Sequence, residues 1–228
     1  MRYPAKWVGC NPGNYSAQEI HPRFFVLHIA QGNNQSGIDA WFNDPEAVAS
    51  AQLSNSKLGI IHEYVDMTQM AYHCGPWNDR SVGMEFLGYT GDHMTFLQKR
   101  SFTKAARWAN KNLNIPLRLT NNPNDPKGGF IGHGKIPEGY LSHPNCPGQN
   151  ILNDAAKILS KIGPTPVPTV LQRQKAHYVV LGPCNAELAS TNGWPVKQWD
   201  GYKFVTSLAP FRPWTLHYAD FHFASKRV

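Results

Sequence analysis

The segment Phe24–Ala30, FFVLHIA, constrains this chain more than any other. It is a continuous apolar run with β-branched and aromatic content, which reads as a buried strand. His28 interrupts it. An imidazole in such a strand needs a partner for at least one ring nitrogen, or it costs roughly 1–3 kcal/mol. Taken alone, His28 reads first as a core histidine with a hydrogen-bonded partner and second as a functional group.

The elements after this strand suggest an α/β fold. Ser36–Phe42 reads as a short helix with Ser36 as its cap, and Gly59–Val65 and Val82–Leu87 read as strands. From Thr95 to Leu113, Phe102, Ala105, Ala106, Ala109 and Leu113 recur at helical spacing, and Pro116 lies beyond the helix end. Phe130–Gly132 looks like a short inner strand. A last helix over Asn150–Ile162 carries Ile151, Leu152, Ala155, Ile158, Leu159 and Ile162 on one face, closed by Gly163 and Pro164. Residues 1–162 therefore form one expected domain. The stretch 163–169, GPTPVPT, has three prolines in seven residues and reads as an extended linker. Residues 170–228 are rich in aromatics and prolines, and the alternation at His177–Leu181 and Leu216–Phe223 suggests a small β-rich module.

Composition narrows the function classes. A hydrophobic content of 41% with 16% charged residues fits a globular chain and not a disordered one. MRYPAKWVGCNPGNYSAQ, at the start, offers no apolar core for a signal peptide, and no later run approaches the roughly 20 residues of a membrane span. The expectation is a protein made in the cytoplasm without membrane insertion. The net charge of +7 implies attraction to a polyanion such as nucleic acid, an anionic membrane or a cell wall. The basic residues are scattered and no reader motif appears, which argues against nucleic acid. Cys10, Cys74, Cys146 and Cys184 form no Cys-x-x-Cys pair, so a zinc ribbon and a thioredoxin-like site are excluded, and no disulfide framework is expected.

Three residues stand out as possible ligands. His133, in GFIGHGKIP, sits at a strand end in a glycine-flanked turn, and Cys146, in HPNCPG, lies thirteen residues further on. With His28 they offer two imidazoles and a thiolate from separate segments, a donor set suited to catalytic zinc with its fourth position left for water. Spacing alone does not fix that assignment. Glu85, between Met84 and Phe86, would be costly as a free carboxylate unless it faced a polar cleft. It reads either as a structural acid paired with Arg80 or as a functional group.

The ordered series VLHIAQG, GIIHEYVDMTQMAYHCGPWNDRSVGMEF and IGHGKIPEGYLSHPNCPG resembles the type 2 N-acetylmuramoyl-L-alanine amidase family, which includes phage endolysins and is related to peptidoglycan recognition proteins. The resemblance covers roughly residues 20 to 162 and implies a mixed central β-sheet flanked by helices. It also implies that His28, His133 and Cys146 hold Zn2+ and that Glu85 is the general base. Ala51 stands where some members carry a catalytic tyrosine, and Gln52 where many carry histidine. His73, Trp77, Asn78 and Arg80 would line the groove and hold muropeptide or glycan, with a packing role for Trp77 as the competing reading. His143 falls near a lysine or histidine that steadies the oxyanion in relatives. His62 reads as a surface or structural residue, and His93 is given no role.

The implied reaction is hydrolysis of the amide between N-acetylmuramic acid and the L-alanine of the stem peptide by a zinc-activated water. The implied setting is a monomeric endolysin, released from the host cytoplasm onto bacterial peptidoglycan, with residues 170–228 as a possible wall-binding module. The alternatives are a non-catalytic peptidoglycan-recognition protein and a bacterial muropeptide-recycling amidase.

Overall fold

The computed structural model describes residues 1–162 and the strand residues 179–181, 196–199 and 204–207. The chain divides into two compact units, residues 1–165 and 166–228. In the first, the elements run β1 (Lys6–Trp7), β2 (Tyr15–Glu19), β3 (Phe24–Ile29), α1 (Gln35–Asn43), β4 (Leu53–Asn55), β5 (Ile61–Glu63), β6 (Gln69–Ala71), β7 (Ser81–Phe86), α2 (Phe96–Leu113), β8 (Gly129–Gly132), α3 (Pro137–Ser142) and α4 (Gln149–Ile162).

Six strands form one sheet in the order β1-β5-β4-β7-β3-β8. β3 pairs in parallel with both β7 and β8, β4 is parallel to β7, and β4 and β5 are antiparallel, so the sheet is mixed. A second, two-stranded sheet joins β2 to β6. All six residues of β3 are buried, as expected of a central strand covered on both faces.

Side chains alternate across the two faces. Phe25, Leu27 and Ile29 of β3 and Val82, Met84 and Phe86 of β7 pack with Phe102, Ala105 and Ala109 of α2 and Ile151, Leu152, Ala155 and Leu159 of α4 in the main core. His28 and Glu85 lie out of phase with that set, which leaves them on the opposite face. α2 is fixed at its start by a capping box, in which Thr95 accepts from the Gln98 N–H and Gln98 reaches back to the Thr95 N–H. Asn114 closes it in the left-handed conformation.

The strand and helix expectations hold with small shifts at their ends, and two details differ. The cap of α1 is Asn34, not Ser36, because the Asn34 carboxamide oxygen accepts from the Ser36 N–H at 3.0 Å. The strand expected over Gly59–Val65 shrinks to the three residues of β5. Among the described residues no helix is long and apolar enough to cross a membrane.

In the second unit, β9 (Val179–Leu181) runs parallel to β10 (Val196–Trp199), which is antiparallel to β11 (Phe204–Ser207). Part of the alternation at His177–Leu181 therefore falls in a strand. Residues 163–169 and Leu216–Phe223 lie outside the described residues, as does Cys184.

Candidate active site

Parallel strands end together, and here three of them deliver polar side chains to one edge of the sheet. His28 is the penultimate residue of β3 and pairs in register with Glu85, the penultimate residue of β7. Leu27 pairs with Gly132 at the end of β8, so His133 emerges beside His28, and the two imidazole centroids lie 4.4 Å apart. Cys146 comes from the loop before α4. Its sulfur accepts from the Ile29 N–H at 3.4 Å, and its carbonyl accepts from the Gly134 N–H at 2.7 Å. One ligand atom from each of His28, His133 and Cys146 falls within 4.8 Å of the other two.

The site's electrostatics suit a cation. Burial lowers the His28 pKa well below its ordinary value, and the neighbouring His133, His73 and His143 push it the same way. His133 is lowered too, chiefly by burial, although Glu138 opposes the shift. Both imidazoles are thus neutral at pH 7 and keep a lone pair for a ligand. Burial raises the Cys146 thiol, and the charge of Glu85 adds to that effect. Burial likewise pushes the Glu85 carboxyl up to about 8. Glu85 Oε1 lies 3.9 Å from His28 Nδ1, while Oε2 is buried without a hydrogen-bond partner. Burial makes Glu85 and the Cys146 thiol costly to ionise, and a divalent ion held among them and the two neutral imidazoles would favour their charged forms.

These groups open into a cleft of about 850 Å³. His73 and Asn78 also line it, with both ring nitrogens of His73 and the carboxamide oxygen of Asn78 already engaged. His73 Nδ1 is 3.1 Å from His28 Nε2, and Asn78 Oδ1 accepts from the N–H groups of His73 and Cys74 at 3.0 and 2.8 Å. His143 is exposed at the rim, its ring stacked on His133 with centroids 5.3 Å apart. Trp77 and Arg80 are not among the residues that line the cleft. Trp77 packs edge-on against Phe24, and Arg80 lies over the Trp77 ring while pairing with Asp79. Arg80 is therefore not the partner of Glu85.

Other positions have structural explanations. Ala51 is fully buried, and Gln52 bridges two strands by accepting from the Gly83 N–H and donating to the Gln69 carbonyl. His62 is buried against Asp39. His93 pairs with Asp154. Cys10, Cys74 and Cys146 carry free thiols.

Sequence reasoning missed Trp41, Tyr89 and Glu138, all of which line the cleft. Trp41 and Tyr89 are 52% and 51% exposed. A large aromatic on the polar side of a short amphipathic helix was the available sign for Trp41. Glu138 follows a proline in a stretch for which no element was expected from the sequence, and nothing local announced that its carboxylate meets His133 at 2.8 Å.

A family model described as N-acetylmuramoyl-L-alanine amidase matches residues 18–149. Among solved structures, the fold resembles a selenomethionine derivative of AmpD, at 21% identity and a TM-score of 0.54, covering 70% of this chain and 96% of that one. It also resembles the catalytic domain of XlyA, at 15% identity and a TM-score of 0.53, with 71% and 100% covered. A mutant endolysin from Bacillus subtilis is similar at 14% identity and a TM-score of 0.53, again with 71% and 100% covered. No curated protein sequence matches the chain.

Proposed function

The chain belongs to the N-acetylmuramoyl-L-alanine amidase family, and from that premise we propose that it is a zinc-dependent amidase acting as an endolysin on bacterial peptidoglycan. The observation that carries this reading is the convergence of His28, His133 and Cys146 beside Glu85 in one cleft. A recognition protein that only binds would have no use for a complete donor set next to a half-buried carboxylate. The endolysin setting draws support from the fold shared with the Bacillus subtilis endolysin and from the net charge of +7, which favours an anionic wall.

The donor set fits zinc. Two neutral imidazoles and one sulfur match its preferred ligands, and the buried, unpartnered Glu85 oxygen is explained by a cation nearby. When bound, zinc supplies Lewis acidity towards the scissile carbonyl and lowers the pKa of water from 15.7 towards about 7. Glu85 takes a proton from the attacking water and passes it to the amine of L-alanine as the C–N bond breaks. His143 is assigned to the developing oxyanion, supported by its rim position and its stacking on His133. His73 and Asn78 are assigned to the surface of the cleft against which the muropeptide lies, by shape more than by new bonds from their engaged atoms. In this reading residues 1–162 are catalytic, 163–169 are a linker and 170–228 bind the wall as part of a monomer.

The test is zinc content together with free-amine and reducing-end release from purified peptidoglycan, for wild type and Cys146→Ala. New amines without new reducing ends, lost together with zinc in the variant, are expected. Amine release that survives complete loss of the metal would sink the zinc reading, and no release at all from the zinc-loaded protein would sink the amidase reading.

A further inference from the structure

We propose that Glu138 is a positioning residue that fixes the orientation and tautomer of His133 for metal binding; this rests on the zinc reading above. Glu138 Oε2 lies 2.8 Å from His133 Nε2. A neutral imidazole carries one N–H, so donation from Nε2 to the carboxylate leaves the lone pair on Nδ1. That leaves Nδ1 as the nitrogen through which His133 would join His28 and Cys146, whose ligand atoms lie within 4.8 Å of one of its ring nitrogens.

The carboxylate is itself held. Its other oxygen accepts from the Ser142 hydroxyl at 2.9 Å, one turn along α3. The helix sits so close to His133 that a Cβ at Gly139 would overlap both the His133 carbonyl and its ring. A Cβ built on Gly75 would come within 3.1 Å of Glu138 Cγ, so the opposite wall of the cleft crowds it as well. Glu138 is partly exposed at the cleft and is held to the imidazole by the Ser142 hydroxyl on its other oxygen. A carboxylate on the far nitrogen of a ligating histidine orients the ring and strengthens it as a donor. Glu138 also lies near His133 and His143 in a second cluster of potential ligand atoms. That arrangement would make it a ligand instead, but it would require His133 to use the nitrogen already bonded to the carboxylate.

The experiment measures zinc affinity by competition with a chromophoric chelator at pH 7 for the full chain, Glu138→Ala, Glu138→Gln and Cys146→Ala, with circular dichroism as the check on folding. Glu138→Ala is expected to weaken zinc binding by about 10- to 100-fold. Glu138→Gln, whose amide oxygen still accepts from Nε2–H, should recover part of that loss. With cobalt in place of zinc, the thiolate charge-transfer band should persist in Glu138→Ala and vanish in Cys146→Ala. Zinc affinity within about twofold of wild type in a folded Glu138→Ala would overturn the proposal. A loss as complete as that of Cys146→Ala would make Glu138 a ligand and overturn it too. A wild-type chain that binds no zinc would remove the zinc reading and this inference together.

Discussion

His28 and Glu85 are cross-strand neighbours on β3 and β7, with the histidine Nδ1 3.9 Å from the carboxylate Oε1. The pairing sets a metal-ligating candidate and a proton-accepting candidate side by side on rigid, fully hydrogen-bonded strands, where neither depends on a loop for its position.

That separation of roles leads to the first prediction. Glu85→Gln keeps the shape of the side chain but cannot accept a proton, so kcat for amine release should fall by about 10²- to 10⁴-fold. Zinc content should stay at the wild-type level, because the donor set is untouched. Metal analysis alongside the amine assay checks both halves, and a variant with wild-type turnover would remove Glu85 from the mechanism.

The wall of the cleft depends on a different network. Asp39 on α1 accepts from the Tyr64 hydroxyl at 2.6 Å and the Gln35 amide at 3.1 Å, and contacts His62 Nδ1 at 3.0 Å. Tyr64 and His62 are buried, so Asp39→Ala leaves His62 Nδ1 without its partner, while the Tyr64 hydroxyl keeps Ser54 and Gln35. At roughly 1–3 kcal/mol for an orphaned buried group, partly offset by water at the half-open Asp39 position, a loss of about 1–2 kcal/mol is expected. Urea denaturation with an unchanged m-value would report it, and a loss below about 0.5 kcal/mol would show that the network does not hold α1 to the sheet.

Residues 170–228 are assigned to wall binding, and their removal separates two activities. A chain ending at residue 169 should bind whole cell walls more weakly while hydrolysing a small soluble muropeptide at close to the full-length rate. Pelleting with purified walls and the amine assay give the two readouts. Equal loss of both would make the second unit part of the catalytic fold.

How much of this was legible in the sequence depended on whether a residue's environment was local. The apolar run of β3, the helical spacing of α2 and the Gly-Pro end of α4 carry their own signals, and the ligand candidates were recognisable by residue type. β4 was not, because its three residues include Ser54 and Asn55, both buried polar groups satisfied only from elsewhere: Asn55 donates to the Gln98 carbonyl and accepts from the Ser101 hydroxyl on α2. The sheet order β1-β5-β4-β7-β3-β8 was hidden for the same reason, since non-consecutive neighbours leave no local pattern. Trp77 and Arg80 sat in a motif that suggested the groove, yet the short 3-10 helix Gly75–Arg80 turns them towards Phe24 and Asp79.

Acid stability should reflect Asp154, which is buried on α4. Burial alone would raise its pKa, but hydrogen bonds from Lys99, His93 and the Met94 N–H, with the charge of Lys99, hold it below the ordinary carboxylate value. A depressed folded-state pKa means that the unfolded chain binds the proton more readily. The stability contributed by Asp154 is thus fully present above the unfolded pKa of about 3.9 and is lost as pH falls through the folded value. The stability difference between wild type and Asp154→Asn should be flat from about pH 5 to 7 and shrink below about pH 4. A difference that does not change over that range would place the stabilisation in hydrogen bonding alone.

Gly83 supplies the last prediction. It pairs with Val26 in the β3·β7 register, and a Cβ built there lies 2.9 Å from Cγ and Nδ1 of His73. The imidazole cannot easily yield. Its Nδ1 is 3.1 Å from His28 Nε2, and its Nε2 is 3.4 Å from the Ser81 hydroxyl. Gly83→Ala should therefore cost about 1–3 kcal/mol by overpacking. If the clash with His73 is the cause, the double variant Gly83→Ala/His73→Ala should be more stable than the sum of the single changes, by an interaction energy of at least about 0.5 kcal/mol. Strict additivity would locate the strain elsewhere on β7 and not in a clash with His73.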